Sequence, residues 1–224
     1  RILSFFFIPN GDINIANSTM NQLFNNFSDL NFSRSPVFPL PSFYALYAKV
    51  FEPSNPTGGN VLLGSSLIPE DIIRTQSNAV ADAFFQARGD NDSVLIGHLV
   101  AGGQVANKTQ NTSANPAWRT ALLHVVYSQG WDDGTSSEEQ QKIAKHIAQQ
   151  VDILQSVAGG SQSASYKNEA DPNEPEWQQK FYGTMENYNR LKSIKDTVDP
   201  NGIFVCKNCV SSEEWSADLN CPKM

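Results

Sequence analysis

The stretch Val94-Leu95-Ile96-Gly97-His98-Leu99-Val100-Ala101-Gly102-Gly103-Gln104-Val105 decides how this chain is read. Side chains alternate sides along an extended strand, so Leu95, Gly97, Leu99 and Ala101 form an apolar face suited to lie under helices. His98, Val100, Gly102 and Gln104 then face the other way, and their two polar groups mark a pocket wall. The plainer alternative is a histidine satisfied within a sheet. The run Arg119 to Gln129 alternates likewise, with Leu122, His124, Val126 and Ser128 opposite Leu123, Val125 and Tyr127. His124 joins His98 on one face if the strands pair in the matching register. His98, Gln104 and His124 are therefore the candidate substrate-facing residues. Two histidines without a fixed carboxylate fall short of the three converging ligands a metal needs, so no metal is expected.

Outward from this stretch, apolar runs bounded by Gly, Pro, Asn and Asp predict further strands at Ile2 to Ile8, Phe43 to Phe51 and Asn60 to Leu67. Pro69 opens a helix on which Ile72, Ile73, Ala79, Val80, Ala83 and Phe84 recur at three-to-four spacing. A second helix starts after Ser136-Ser137-Glu138-Glu139, carries Ile143, Ile147, Val151, Leu154 and Val157 on one stripe, and stops at Gly159-Gly160. The segment Ala170-Asp171-Pro172-Asn173-Glu174-Pro175 reads as a loop. A last helix follows through Trp177, Phe181, Tyr188, Leu191 and Ile194, ended by Asp199-Pro200-Asn201-Gly202. Strands with helices laid on one side make an α+β layer.

At 224 residues with 40% hydrophobic content the chain is long enough for a sizeable core. A net charge of -7 would repel a phosphate backbone, so nucleic acid is not expected as a partner. Ile2 to Ile8 is far short of the roughly 20 apolar residues that cross a bilayer, which argues against a membrane. The chain opens on Arg1 inside an apolar run, so an upstream portion of the gene product is expected. Acceptor sequons stand at Asn17, Asn26, Asn31, Asn91, Asn107 and Asn111, and with the low charge content they point to a secreted glycoprotein. Asn107 and Asn111 are the best acceptors, in a polar stretch between two strands. Cys206, Cys209 and Cys221 lie near the C-terminus, and Cys221 is expected to bridge to Cys206 or to Cys209.

The densest cluster of potentially catalytic groups is Ser165-Tyr166-Lys167-Asn168-Glu169-Ala170-Asp171. A phenol, an amide and a carboxylate on one short segment can hold a polar cofactor edge and supply a base. They can equally be a hydrogen-bonded loop. A longer series settles more: Gly102-Gly103, Asn115-Pro116-Ala117-Trp118-Arg119, Tyr166 to Asp171, Trp177-Gln178, Tyr182-Gly183, Asn187 to Leu191, Ile194-Lys195, Asp199 to Phe204 and Trp215. In this order the series resembles the C-terminal half of fungal berberine-bridge-enzyme-like flavoprotein oxidases of the vanillyl-alcohol-oxidase type. The likeness runs from about residue 90 to 215, and its most specific part is Tyr166 to Phe204.

The resemblance implies an antiparallel sheet that roofs the isoalloxazine ring of FAD, while the FAD-binding loops lie in an N-terminal portion of the same gene product. Residues 1–160 would then be part of the substrate-binding domain, and 161–224 the berberine-bridge-type segment returning to the FAD-binding domain. It implies oxidation of an alcohol or sugar by hydride transfer to flavin N5, removal of the hydroxyl proton by a base, and reoxidation by dioxygen. The family's Tyr-x-Asn-Tyr segment falls on Tyr166 to Glu169, which makes Asn168 and Tyr166 cofactor contacts. Glu169 replaces the second tyrosine, so the base is Glu169, Tyr166 or a residue of the N-terminal portion. The alternative from another class is a non-enzymatic secreted glycoprotein that keeps the sheet for binding.

Overall fold

A computed structural model describes residues 5–31, 37–51, 58–88, 94–107 and 112–223. The chain divides into two compact units, Arg1–Gly58 and Gly59–Met224. Among the described residues no helix is long and apolar enough to cross a membrane.

In the first unit, helix α1 (Ile13–Asn26) starts where the Asp12 carboxylate accepts from the Asn14 and Ile15 amides at 2.7 and 3.1 Å. Only Ala16 of this amide-rich helix is buried, so its apolar periodicity was too faint to predict it. The strand expected at Phe43 to Phe51 is instead helix α2 (Phe43–Leu46) running into a π-helical turn at Tyr47–Phe51. The Ser42 hydroxyl caps it by accepting from the Ala45 amide, and aromatic β-preference yields to this local start signal. The strand expected at Ile2 to Ile8 is not seen either. Its first residues lie outside the described ones, and Phe5, Phe6, Phe7 and Ile8 are exposed and irregular. An apolar run becomes a strand only with a neighbour for its backbone groups.

The second unit is the α+β layer. Strands β1 (Asn60–Pro69), β2 (Val94–Leu99) and β3 (Ala121–Trp131) form an antiparallel sheet in the order β1-β3-β2. Helices α3 (Glu70–Thr75) and α4 (Ser77–Arg88) follow β1, and α5 (Ser137–Val157) follows β3. α5 opens at Ser137, inside the stretch after which the sequence placed its start, with the Ser136 hydroxyl accepting from the Glu139 amide at 3.2 Å.

Alternation along β3 sorts its side chains. Val125 packs with Ile68, Val80, Ala87 and Leu154, and Tyr127 with Ile143, Ile147 and Val151, so this face lies under α4 and α5. Helix α5 approaches so closely at Gly64 that a Cβ there would stand 2.2 Å from Val151 Cγ2. Val126 and His124 alternate to the other side. β2 ends at Leu99, earlier than expected, because Gly102 and Gly103 adopt φ of 89° and 53° and turn the chain out of the sheet.

The boundary expected after Gly160 falls inside this unit. The Leu67 amide donates to the Ala164 carbonyl at 2.8 Å, tying the following segment to the free edge of β1. The expected last helix is two, α6 (Trp177–Tyr182) and α7 (Met185–Val198), broken at Gly183. Gly183 has φ 88°, and a Cβ there would lie 2.4 Å from Pro116 Cδ, so only glycine fits this kink. Cys206 and Cys209 form a disulfide and Cys221 is free and exposed, which corrects the expected bridge from Cys221. The Cys209 amide donates to the Cys206 carbonyl at 3.1 Å, a turn that already brings the two residues together.

Candidate functional site

The register places His98 directly opposite His124, with the two rings 5.7 Å apart and 21° from parallel. On the other side of β3, His124 pairs with Leu67, which packs against Trp118, Ala121 and Ala164. The strands therefore bring both histidines to one face, opposite the helices. Gln104 does not join them on a strand. It lies in the exposed turn after Gly102-Gly103, within hydrogen-bonding reach of Asn107 Nδ2.

The second half of the site comes from the segment after α5. The Ser165 amide donates to the Lys180 carbonyl, the Ser165 hydroxyl to the Ser65 carbonyl at 2.6 Å, and the Tyr166 amide to the Ser65 hydroxyl. Beneath it Lys180 pairs with Glu174 at 3.1 Å and bonds the Gln155 side-chain carbonyl, while Gln155 Nε2 donates to Glu174 at 3.0 Å. This buried network fixes where the following residues emerge.

A turn of 3-10 helix at Lys167–Glu169 then presents the polar groups. The Tyr166 ring stands edge-on to both His124 and Trp118, with centroids 5.4 Å away in each case. Asn168 Nδ2 donates to the Tyr166 hydroxyl at 2.7 Å. The Glu169 carboxylate lies 3.7 Å from His124 Nδ1, beyond a hydrogen bond. Burial, and secondarily the nearby His98, push the His124 pKa down to about 4. At neutral pH the imidazole is uncharged, so its contact with Glu169 is not a salt bridge. His124 Nε2 is buried with no hydrogen-bond partner.

Sequence reading thus named His98, His124, Tyr166, Asn168 and Glu169, which the fold assembles, and Gln104, which it leaves on the turn. It did not foresee the approach of Glu169 to His124, and so treated a third ligand beside the histidines as missing. Trp118 had no assigned role, although the sequence carries its motif Asn115-Pro116-Ala117-Trp118. Of the sequons, Asn17, Asn26 and Asn31 are exposed and Asn107 is half-buried, while Asn91 and Asn111 lie outside the described residues.

Residues 165–210 match the family described as berberine and berberine like, and this span contains the Tyr166-to-Glu169 turn, the kink at Gly183 and the disulfide. An uncharacterized FAD-linked oxidoreductase of Arthroderma benhamiae is 38% identical over 189 residues, covering 82% of this chain and 32% of that protein. Residues 165–210 are a berberine and berberine-like segment. The FAD-linked oxidoreductase patO of Penicillium expansum is 32% identical over 180 residues, covering 79% of this chain and 30% of that one. A VAO-type flavoprotein from Myceliophthora thermophila C1 superposes with a TM-score of 0.73 at 25% identity, over 93% of this chain and 36% of that one. The chain spans about a third of the length of the curated relatives it matches.

This surface has the chemistry a berberine-type FAD site needs. It offers an exposed carboxamide whose oxygen has no partner among the described residues, a carboxylate and an aromatic ledge of Trp118 and Tyr166. The residues present fit the cofactor's polar ring edge.

Proposed function

We propose that this chain forms the substrate-side wall of a flavin-dependent oxidase acting on an alcohol or a sugar, with the FAD-binding portion supplied by the same gene product and dioxygen as the electron acceptor. When bound, FAD supplies hydride acceptance at N5. The chain's own part is to orient the substrate and take its proton. Asn168 offers its carboxamide oxygen to the ring edge while its amide is held by the Tyr166 hydroxyl. Glu169 accepts the hydroxyl proton of the substrate, and His98 and His124 line the face beside it.

The observation that carries this reading is the placement of the Glu169 carboxylate, with no lysine or arginine partner among the described residues, 3.7 Å from a neutral, buried His124. A carboxylate without a cationic partner keeps its lone pairs for a proton. In the complete flavoprotein, Glu169→Gln keeps shape and removes proton acceptance. Anaerobic rapid-mixing reduction should then slow by about 10²- to 10⁴-fold with FAD content unchanged. A rate within about threefold of wild type, with Tyr166→Phe collapsing instead, would transfer the role to the phenol.

The same reading takes the protein as secreted, with glycans on exposed Asn17, Asn26 and Asn31 and on Asn107. Peptide mapping of protein from its natural source checks this, and unmodified asparagine at every sequon would reject it.

A further inference from the structure

We propose that His98, His124 and Glu169 together bind one divalent transition-metal ion of the zinc type, and that the bound ion silences Glu169 as a proton acceptor. The inhibitory half of this inference rests on the function proposed above; the binding half does not.

The three ligand atoms come from three separate stretches, β2, β3 and the turn at Lys167–Glu169, and all lie within 4.8 Å of one another. Two imidazoles and one carboxylate form the donor set that suits borderline ions such as Zn²⁺ over the oxygen-seeking Mg²⁺ and Ca²⁺. Strand pairing presents both rings from the same side of the sheet. The fold also leaves the central ligand unused: His124 Nδ1 is 3.7 Å from Glu169 and Nε2 is buried without a partner, so neither nitrogen is in a hydrogen bond. A buried imidazole nitrogen without a partner is costly, and Nδ1, which faces Glu169, is the nitrogen placed to take a metal. No lysine or arginine among the described residues pairs with Glu169 to compete for it. Its neighbour Lys167 points its Nζ to the Cys209 sulfur at 3.3 Å.

Closing the site needs small movements. Ligand atoms around a tetrahedral zinc stand about 3.4 Å apart, given bonds of about 2.1 Å. His124 is wedged between Trp118 and Tyr166 and stays in place, whereas His98 is exposed and Glu169 partly so, and both can swing inward. Three protein ligands leave a fourth position for water or a substrate oxygen. The ion would hold the lone pairs that Glu169 otherwise offers to a proton.

The test is equilibrium dialysis of chelator-stripped full-length protein against ZnCl₂, with metal read by mass spectrometry. One equivalent per chain is expected. His98→Ala and Glu169→Gln, both on accessible side chains, should each weaken binding by at least about 10- to 100-fold, the loss typical even of an outer-shell partner of a metal ligand. Gln104→Ala should leave it unchanged. Unaltered zinc affinity in both ligand variants, or no stoichiometric uptake, overturns the site. Because metal content is measured directly, that failure is separate from failure of the proton-acceptor reading, which shows only in the reduction rate. Stoichiometric uptake with an undiminished reduction rate would overturn the silencing alone.

Discussion

The two faces of β3 are built from neighbouring residues and share little else. Val125 and Tyr127 are almost fully buried under α4 and α5, in contact with Ile68, Leu154, Ile147 and Val151. One residue away, His124 is equally buried, yet its surroundings are Trp118, Tyr166, His98 and Glu169. The helix side is closed by hydrocarbon shape. The other side is closed by a polar segment bolted to the edge of β1, and it leaves hydrogen-bonding capacity unspent. Stability is concentrated on one face and reactivity on the other, a division that holds only while the bolted segment stays in position.

Lys180→Met attacks that bolt. It leaves Glu174 buried and unpaired, and removing one partner of a buried ion pair costs about 3–5 kcal/mol. Denaturant unfolding should show this loss, together with reduced activity of the complete enzyme because Gln155, which reaches the Ser165 hydroxyl, loses its Lys180 partner. A loss below about 1 kcal/mol would mean the network is incidental. The contrast between the faces is sharpened by a pair of variants. Leu154→Ala should cost about 2–5 kcal/mol, whereas His98→Ala should stay within about 0.5 kcal/mol. Equal effects would erase the division.

Acid tests the polar face through a single histidine. The folded pKa of His124 is lowered from 6.5 to about 4, so the unfolded chain takes up the proton first as pH falls. Its contribution is complete above pH 6.5 and is lost towards pH 4. With chelator present, wild type should lose roughly 3 kcal/mol more than His124→Gln across that window. The groups facing His124 are His98, Glu169, Tyr166 and Trp118, so His98→Ala should reduce the loss slightly. Parallel pH profiles for wild type and His124→Gln would show that burial does not depress this histidine.

The sequence carried the helix side well, because Ile143, Ile147, Val151 and Leu154 repeat at helical spacing over many turns and Ser136 with Glu139 marks the start. Alternation in β2 and β3 also foretold that His98 and His124 share a face, lacking only the register. What stayed hidden depends on contacts between distant residues. Glu169 reaches His124 only because Ser165 and Tyr166 bond to Ser65, a hundred residues away in sequence. Phe43 to Phe51 misled because aromatic composition says strand while a single serine cap says helix. Gln104 misled because alternation was carried past two glycines that turn the chain.

The strand order has a consequence for how the molecule is made. β3 is the last of the three strands in the chain and occupies the middle of the sheet. During synthesis β1 and β2 therefore emerge with no hydrogen-bonding neighbour, and both wait, with apolar side chains uncovered, until Ala121 to Trp131 leaves the ribosome. The sheet closes in one late step that joins segments far apart along the chain, the kind of step that makes folding slow. A ribosome stalled before Trp131 would hold two unmatched edges, each a template for pairing with another nascent chain.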